Sequence, residues 1–114
     1  MTTIYAEMDG NRCILSAKGH ARADGAEDGE ALEGVQVCAA VSALLYALAG
    51  YLANAMEDPI RRLEMFSHRL DSGDVYLDFA GDLECMAAFE AVVVGLAQVA
   101  RRYPARVKLE QQKI

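Results

Sequence analysis

The stretch VQVCAAVSALLYALAGYLANAM, Val35 to Met56, decides the fold of this chain. It has no strand-like alternation, is rich in alanine and leucine, and reads as one long helix. Asp58-Pro59 stops it, because proline lacks the N–H a helix needs and crowds the residue before it. The stretch is also about as long as a membrane span. Gln36, Ser42, Gly50 and Asn54 interrupt its apolar surface, however, and no Lys or Arg flanks its start. The expected setting is therefore a helix buried on nearly all sides in a soluble protein, with no membrane partner.

Upstream, Ile4, Ala6 and Met8 alternate with Thr3, Tyr5 and Glu7, which is strand periodicity. Asp9-Gly10 signals a tight turn. Arg12 to Lys18 reads as the returning strand, with Cys13, Leu15 and Ala17 on one face. Ala23 to Gly34, acidic and glycine-rich, reads as a mobile loop. Downstream, Arg62 to Leu70 is a third strand, Asp71-Ser72-Gly73-Asp74 a turn, and Val75 to Phe79 a fourth strand. Asp82 is a good N-cap for a second helix that runs to about Arg102, where two arginines suit the negative helix end. A short last strand covers Arg106 to Glu110.

The order ββαββαβ implies an α+β domain in two layers: a mostly antiparallel sheet with both helices on one face. The 114 residues make one domain, 1–114, without repeat or linker. The first helix carries more apolar surface than one sheet can cover. Ala39, Ala43, Ala47 and Gly50 allow close helix–helix approach, so a homodimer through helix 35–56 is expected.

The net charge is −6, from 17 acidic and 11 basic residues. With no cluster of Lys and Arg, direct nucleic-acid binding is not expected, and the acidic surface suits a basic partner. The three cysteines, Cys13, Cys38 and Cys85, form no C-x-x-C pair. An odd count without a secretory signal points to free thiols in a reducing cytoplasm. Metal-ligand spacing is missing, and neither metal nor cofactor is expected.

Two residues carry the possible chemistry. His20 follows Gly19 where the second strand ends. Cys38 stands where the long helix is expected to begin. There, unpaired N–H groups and the positive helix end favour a thiolate. A histidine nearby could accept the thiol proton. A cysteine can equally be a small core hydrophobe, and both readings stay open on the surroundings alone. Ser42, one turn on, can bond back to the carbonyl of residue 38 and support the Cys38 rotamer. Cys85 also opens a helix, but Asp82 and Glu84 beside it oppose a thiolate. Cys13 lies on the core face of its strand. Both are read as structural, and His68 as a solvent-facing or interfacial strand residue.

Gly19-His20-Ala21 followed by Val37-Cys38-Ala39-Ala40-Val41-Ser42-Ala43-Leu44 resembles the ribosomal-processing cysteine proteases of bacteria, the Prp family. The resemblance implies a homodimeric α+β fold and a cysteine–histidine dyad. It also implies removal of an N-terminal extension from a large-subunit ribosomal protein or, in prophage settings, processing of a phage structural protein. Cys38 would then be the nucleophile and His20 the general base. The backbone N–H groups of Cys38 and Ala39 are the candidate oxyanion donors, with Gly19 and Ser42 as supporting residues. The carboxylates Asp24, Glu27, Asp28, Glu30 and Glu33 would hold a basic peptide segment of the substrate. Two departures mark this chain. Val35 replaces the family's aspartate three residues before the cysteine, and the acidic stretch Glu27 to Glu33 lengthens the segment between His20 and Cys38. The alternative is a non-catalytic dimeric module that docks a basic partner through that acidic loop.

Overall fold

In a computed structural model, the described residues are 1–20 and 28–112, without the side chains of 28–31. Five strands and two helices follow in the order β1 (Thr2–Asp9), β2 (Arg12–Lys18), α1 (Asp28–Glu57), β3 (Leu63–Asp71), β4 (Asp74–Gly81), α2 (Leu83–Arg102) and β5 (Val107–Gln112). The sheet order is β3-β4-β2-β1-β5. Only β1 and β5 run parallel; every other neighbouring pair is antiparallel. The expected α+β class and element order are therefore observed, with element ends moved by a few residues.

The β1–β2 register sets Ile4 against Ala17, Ala6 against Leu15 and Met8 against Cys13. All six side chains are buried on the face that the helices cover. A two-residue turn makes this register possible, because Gly10 takes a positive φ of 61° that other residues reach only with strain. β4 extends the apolar face, with Leu77 beside Leu15 and Phe79 beside Cys13.

β3 carries an irregularity that the sequence pattern hides. Its pairing with β4 slips between Met65 and Ser67, leaving Phe66 as an extra residue. The slip reverses the side-chain parity beyond it. Leu63 and Met65 share the helix side with His68 and Leu70, which lie opposite Leu77 and Val75. Phe66 falls on the other side, where the Arg12 guanidinium stacks 4.8 Å from its ring centre. Arg12 also holds the buried Asp78 carboxylate through two hydrogen bonds of 3.0 and 2.7 Å.

The helices pack on the sheet through separate apolar stripes. On α1 the buried residues are Val37, Val41, Leu45, Leu48, Leu52 and Ala55, spaced three and four apart. On α2 they are Cys85, Phe89, Val92, Val93 and Leu96. Asp82 caps α2 as expected, accepting the Cys85 N–H at 2.9 Å. Arg61 grips the same carboxylate at 2.7 and 3.0 Å and donates to the Tyr51 hydroxyl at 2.8 Å. One guanidinium therefore ties α1, the approach to β3 and the start of α2 together. It is the main reason that the Asp82 carboxyl lies well below the usual range, with the capped Cys85 N–H second.

Two expectations about α1 need correction. First, the helix begins at Asp28, not near Val35, so the stretch Asp28 to Gly34 is helix rather than loop. Second, α1 is buried along one stripe, not on nearly all sides. Val35, Ala39, Ala43, Tyr46, Ala47, Gly50, Ala53 and Met56 are exposed. Two helical stretches, Leu32–Glu57 and Leu83–Arg102, are long and apolar enough to cross a membrane, yet each lays its stripe on the sheet.

Candidate active site

The sheet order brings the ends of three elements together beside α1. β2 ends at Lys18, which pairs with Asp74 at the start of β4. The β3–β4 turn therefore lies next to the residues that leave β2. Gly19 takes a φ of 90°, and a Cβ on it would stand 2.3 Å from the Met1 carbonyl oxygen, so only glycine fits there. Its N–H donates to the Gly73 carbonyl at 2.9 Å, fastening the end of β2 to the turn. His20 comes next, exposed, with its ring resting on Gly73.

Cys38 reaches the same place from α1. It is half-buried between the core-facing Val37 and Val41 and the exposed Ser42. His20 and Cys38 line one cleft of about 220 Å³. Gly19 and Ser42 line it too, so all four of these expected site residues converge. The sequence pattern does not single out the rest of this setting: the lining also includes Asp71, Ser72, Gly73 and Asp74 from the turn, and Tyr46 on α1 one helical turn beyond Ser42. Asp74 is already engaged: Arg69 holds it at 2.8 and 3.1 Å and draws its carboxyl below the usual range.

The early start of α1 changes the expected electrostatics. Cys38 lies about three turns into the helix. The dipole effect fades within the first turn, so it does not act on this thiol as expected. The N–H groups of Cys38 and Ala39 likewise sit in the helix interior, where the helical ladder engages them. The oxyanion role expected for them loses its premise in this conformation.

Glu33 pairs with Arg106 at 3.1 Å instead of standing over the cleft. Asp28 and Glu30 fall in the first turn of α1. Asp24, Glu27 and also Ala21 lie outside the described residues. Val35 is exposed and does not line the cleft. Among the described residues, no group of three or more His, Cys, Asp or Glu side chains could hold a metal ion.

The other two thiols have different surroundings. Cys13 is fully buried, and burial pushes its thiol up to about 12. Cys85 is also buried, and burial together with the Asp82 carboxylate raises its thiol. Both are core residues, as the sequence suggested.

Comparison with known proteins shows the same fold elsewhere. The chain is similar over its whole fold to the ribosomal-processing protease Prp of Staphylococcus aureus, solved with a covalently linked product peptide. That match has 19% identity and a TM-score of 0.67, and covers 98% of this chain and 100% of the other. The same protease solved with a substrate peptide matches with 18% identity, a TM-score of 0.62 and the same coverage. A Streptococcus mutans protein matches with 24% identity and a TM-score of 0.58, covering 98% of this chain and 96% of its own. No curated protein sequence matches the chain significantly. The model of one family, cysteine protease Prp, matches residues 1–108, and the chain that joins His20 and Cys38 in one cleft belongs to that family.

Proposed function

We propose that this cysteine protease cuts its substrate with Cys38 as nucleophile and His20 as general base. The observation that carries the reading is the shared cleft: the two residues come from different elements, the end of β2 and α1, yet both line it. The Cys38 sulfur attacks the scissile carbonyl and forms an acyl-enzyme. His20 accepts the thiol proton and returns it to the leaving amine, and water then releases the acid. The substrate we propose is the N-terminal extension of a large-subunit ribosomal protein or a phage structural protein. Support comes from the staphylococcal relatives, described as ribosomal-processing proteases bound to substrate and product peptides. A basic segment fits a protein of net charge −6. A reducing cytoplasm suits three thiols that form no disulfide.

The test is alkylation, read thiol by thiol by mass spectrometry. In the folded protein, Cys38 is expected to react near neutral pH, while Cys13 and Cys85 stay protected until unfolding. His20→Ala should slow Cys38 at least about tenfold, and by as much as the ~10²–10⁴-fold of general-base effects if the histidine acts fully on this thiol. Equal Cys38 rates in both proteins would remove the dyad and favour a non-catalytic docking role.

We also propose a homodimer through α1. Ala39, Ala43, Ala47 and Gly50 form an exposed row of small residues, flanked by exposed Tyr46 and Met56. An apolar groove of about 330 Å³ continues this surface between α1 and β3, lined by Ala49, Ala53, Met56, Met65, His68 and Leu70. Sedimentation velocity at micromolar concentration should return twice the 12.4 kDa chain mass. A single monomer boundary there refutes the dimer.

A further inference from the structure

We propose that Gly73, in the β3–β4 turn, is a positioning residue for His20, and that its missing side chain forms the seat of the imidazole. The inference rests on the reading of His20 as the base. Three observations meet at this glycine. A Cβ on Gly73 would stand 2.7 Å from His20 Nε2 and 3.0 Å from Cε1, closer than packing allows. The ring therefore occupies the space that any other residue would fill. The Gly73 carbonyl also accepts the Gly19 N–H at 2.9 Å, so one residue fixes both the chain before His20 and the ring itself. Finally, the turn is braced. Asp71 pairs with Asp74 across it, and Arg69 holds Asp74 through two hydrogen bonds of 2.8 and 3.1 Å.

The consequence is geometric. Proton transfer between a thiol and an imidazole depends on placement within a fraction of an ångström to an ångström. A methyl group at position 73 pushes the ring off its seat, and with it the nitrogen that serves Cys38. The fold supplies a matched control. Gly10, in the β1–β2 turn, has a similar positive φ of 61° against 70° at Gly73, but nothing lies within 4 Å of a Cβ placed there. Alanine at position 10 carries backbone strain alone; alanine at position 73 carries the same strain and displaces the ring.

The experiment compares the full-length wild type with Gly73→Ala, Gly10→Ala and His20→Ala, each checked for folding by circular dichroism. Cys38 alkylation by iodoacetamide is followed by mass spectrometry, and the His20 ring by NMR. The wild type should show a nuclear Overhauser contact between the His20 ring and the Gly73 α-protons. Gly73→Ala should shift the ring signals and slow Cys38 about tenfold, toward the His20→Ala rate. Gly10→Ala should keep the wild-type rate. If His20→Ala is slow but Gly73→Ala matches Gly10→Ala, the seat is refuted and the dyad stands. If His20→Ala leaves the rate unchanged, the dyad falls and the catalytic role of Gly73 falls with it. Should Gly73→Ala fail to fold, the wild-type contact decides: its presence supports the seat and its absence overturns it.

Discussion

Cys38→Ala is expected to abolish peptide cleavage while leaving the fold intact. Both halves follow from where the residue sits. Cys38 is half-buried on α1, at the edge of the core and on the wall of the cleft. Alanine keeps the Cβ that packs there, and it is the best helix former, so removing the sulfur disturbs the helix little. Chemically nothing takes the sulfur's place. Ser42 lines the same cleft one turn away, but a hydroxyl is a far weaker nucleophile than a thiolate at neutral pH. Removal of a nucleophile that works as a unit with its base typically costs about 10⁴-fold or more. The measurement is cleavage of a peptide spanning the N-terminal extension of a large-subunit ribosomal protein, with thermal melts run in parallel. Lost cleavage with an unchanged melt assigns the nucleophile. Retained cleavage moves it to another residue, and Cys13 and Cys85 are poor candidates because both are buried.

The periodic parts of this fold were legible in the sequence. β1, β2 and β4 alternate cleanly, Asp82 is a strong cap, and the apolar run after Val35 has no reading but helix. The sequence disguises the start of α1 for a physical reason. Its acidic, glycine-containing lead resembles a loop in composition, yet Asp and Glu in a first turn are stabilised by the positive helix end. Alanine, leucine and glutamate at positions 31–33 are good helix formers as well. The partner of Glu33, Arg106, is 73 residues away, beyond any local signal. The bulge at Phe66 was equally hidden, because its only trace is a change of parity within one strand. At the site, His20 and Cys38 stood out because each has a distinctive neighbourhood. The wall from Asp71 to Asp74 did not, although the turn itself was recognised. It joins the cleft only because β4 pairs with β2, and strand order is set by the whole sheet.

Phe89→Ala should be the most damaging single truncation in the core, lowering stability by about 3–5 kcal/mol. Phe89 is fully buried on α2, and its ring meets Phe79 of β4 edge to face, with centres 6.0 Å apart and planes at 73°. The loss combines three effects: apolar surface returned to water on unfolding is smaller, a cavity is left behind, and the aromatic pair, worth about 0.5–1.5 kcal/mol beyond its area, is gone. Little can collapse into the space, because Phe79 is pinned in the middle of the sheet between β2 and β3 partners, Cys13 and Met65. Domains of this size have only about 5–15 kcal/mol in all. The melting temperature should therefore fall by about 10–20 °C. Val94, on the outer side of the same helix and 58% exposed, is the control, and Val94→Ala should change stability by less than about 0.5 kcal/mol. α2 does not line the cleft, so Phe89→Ala should still cleave peptide well below its melting temperature. A shift no larger than that of Val94→Ala would mean that α2 does not pack on β4 through this ring pair, and the helix would have to lie differently on the sheet.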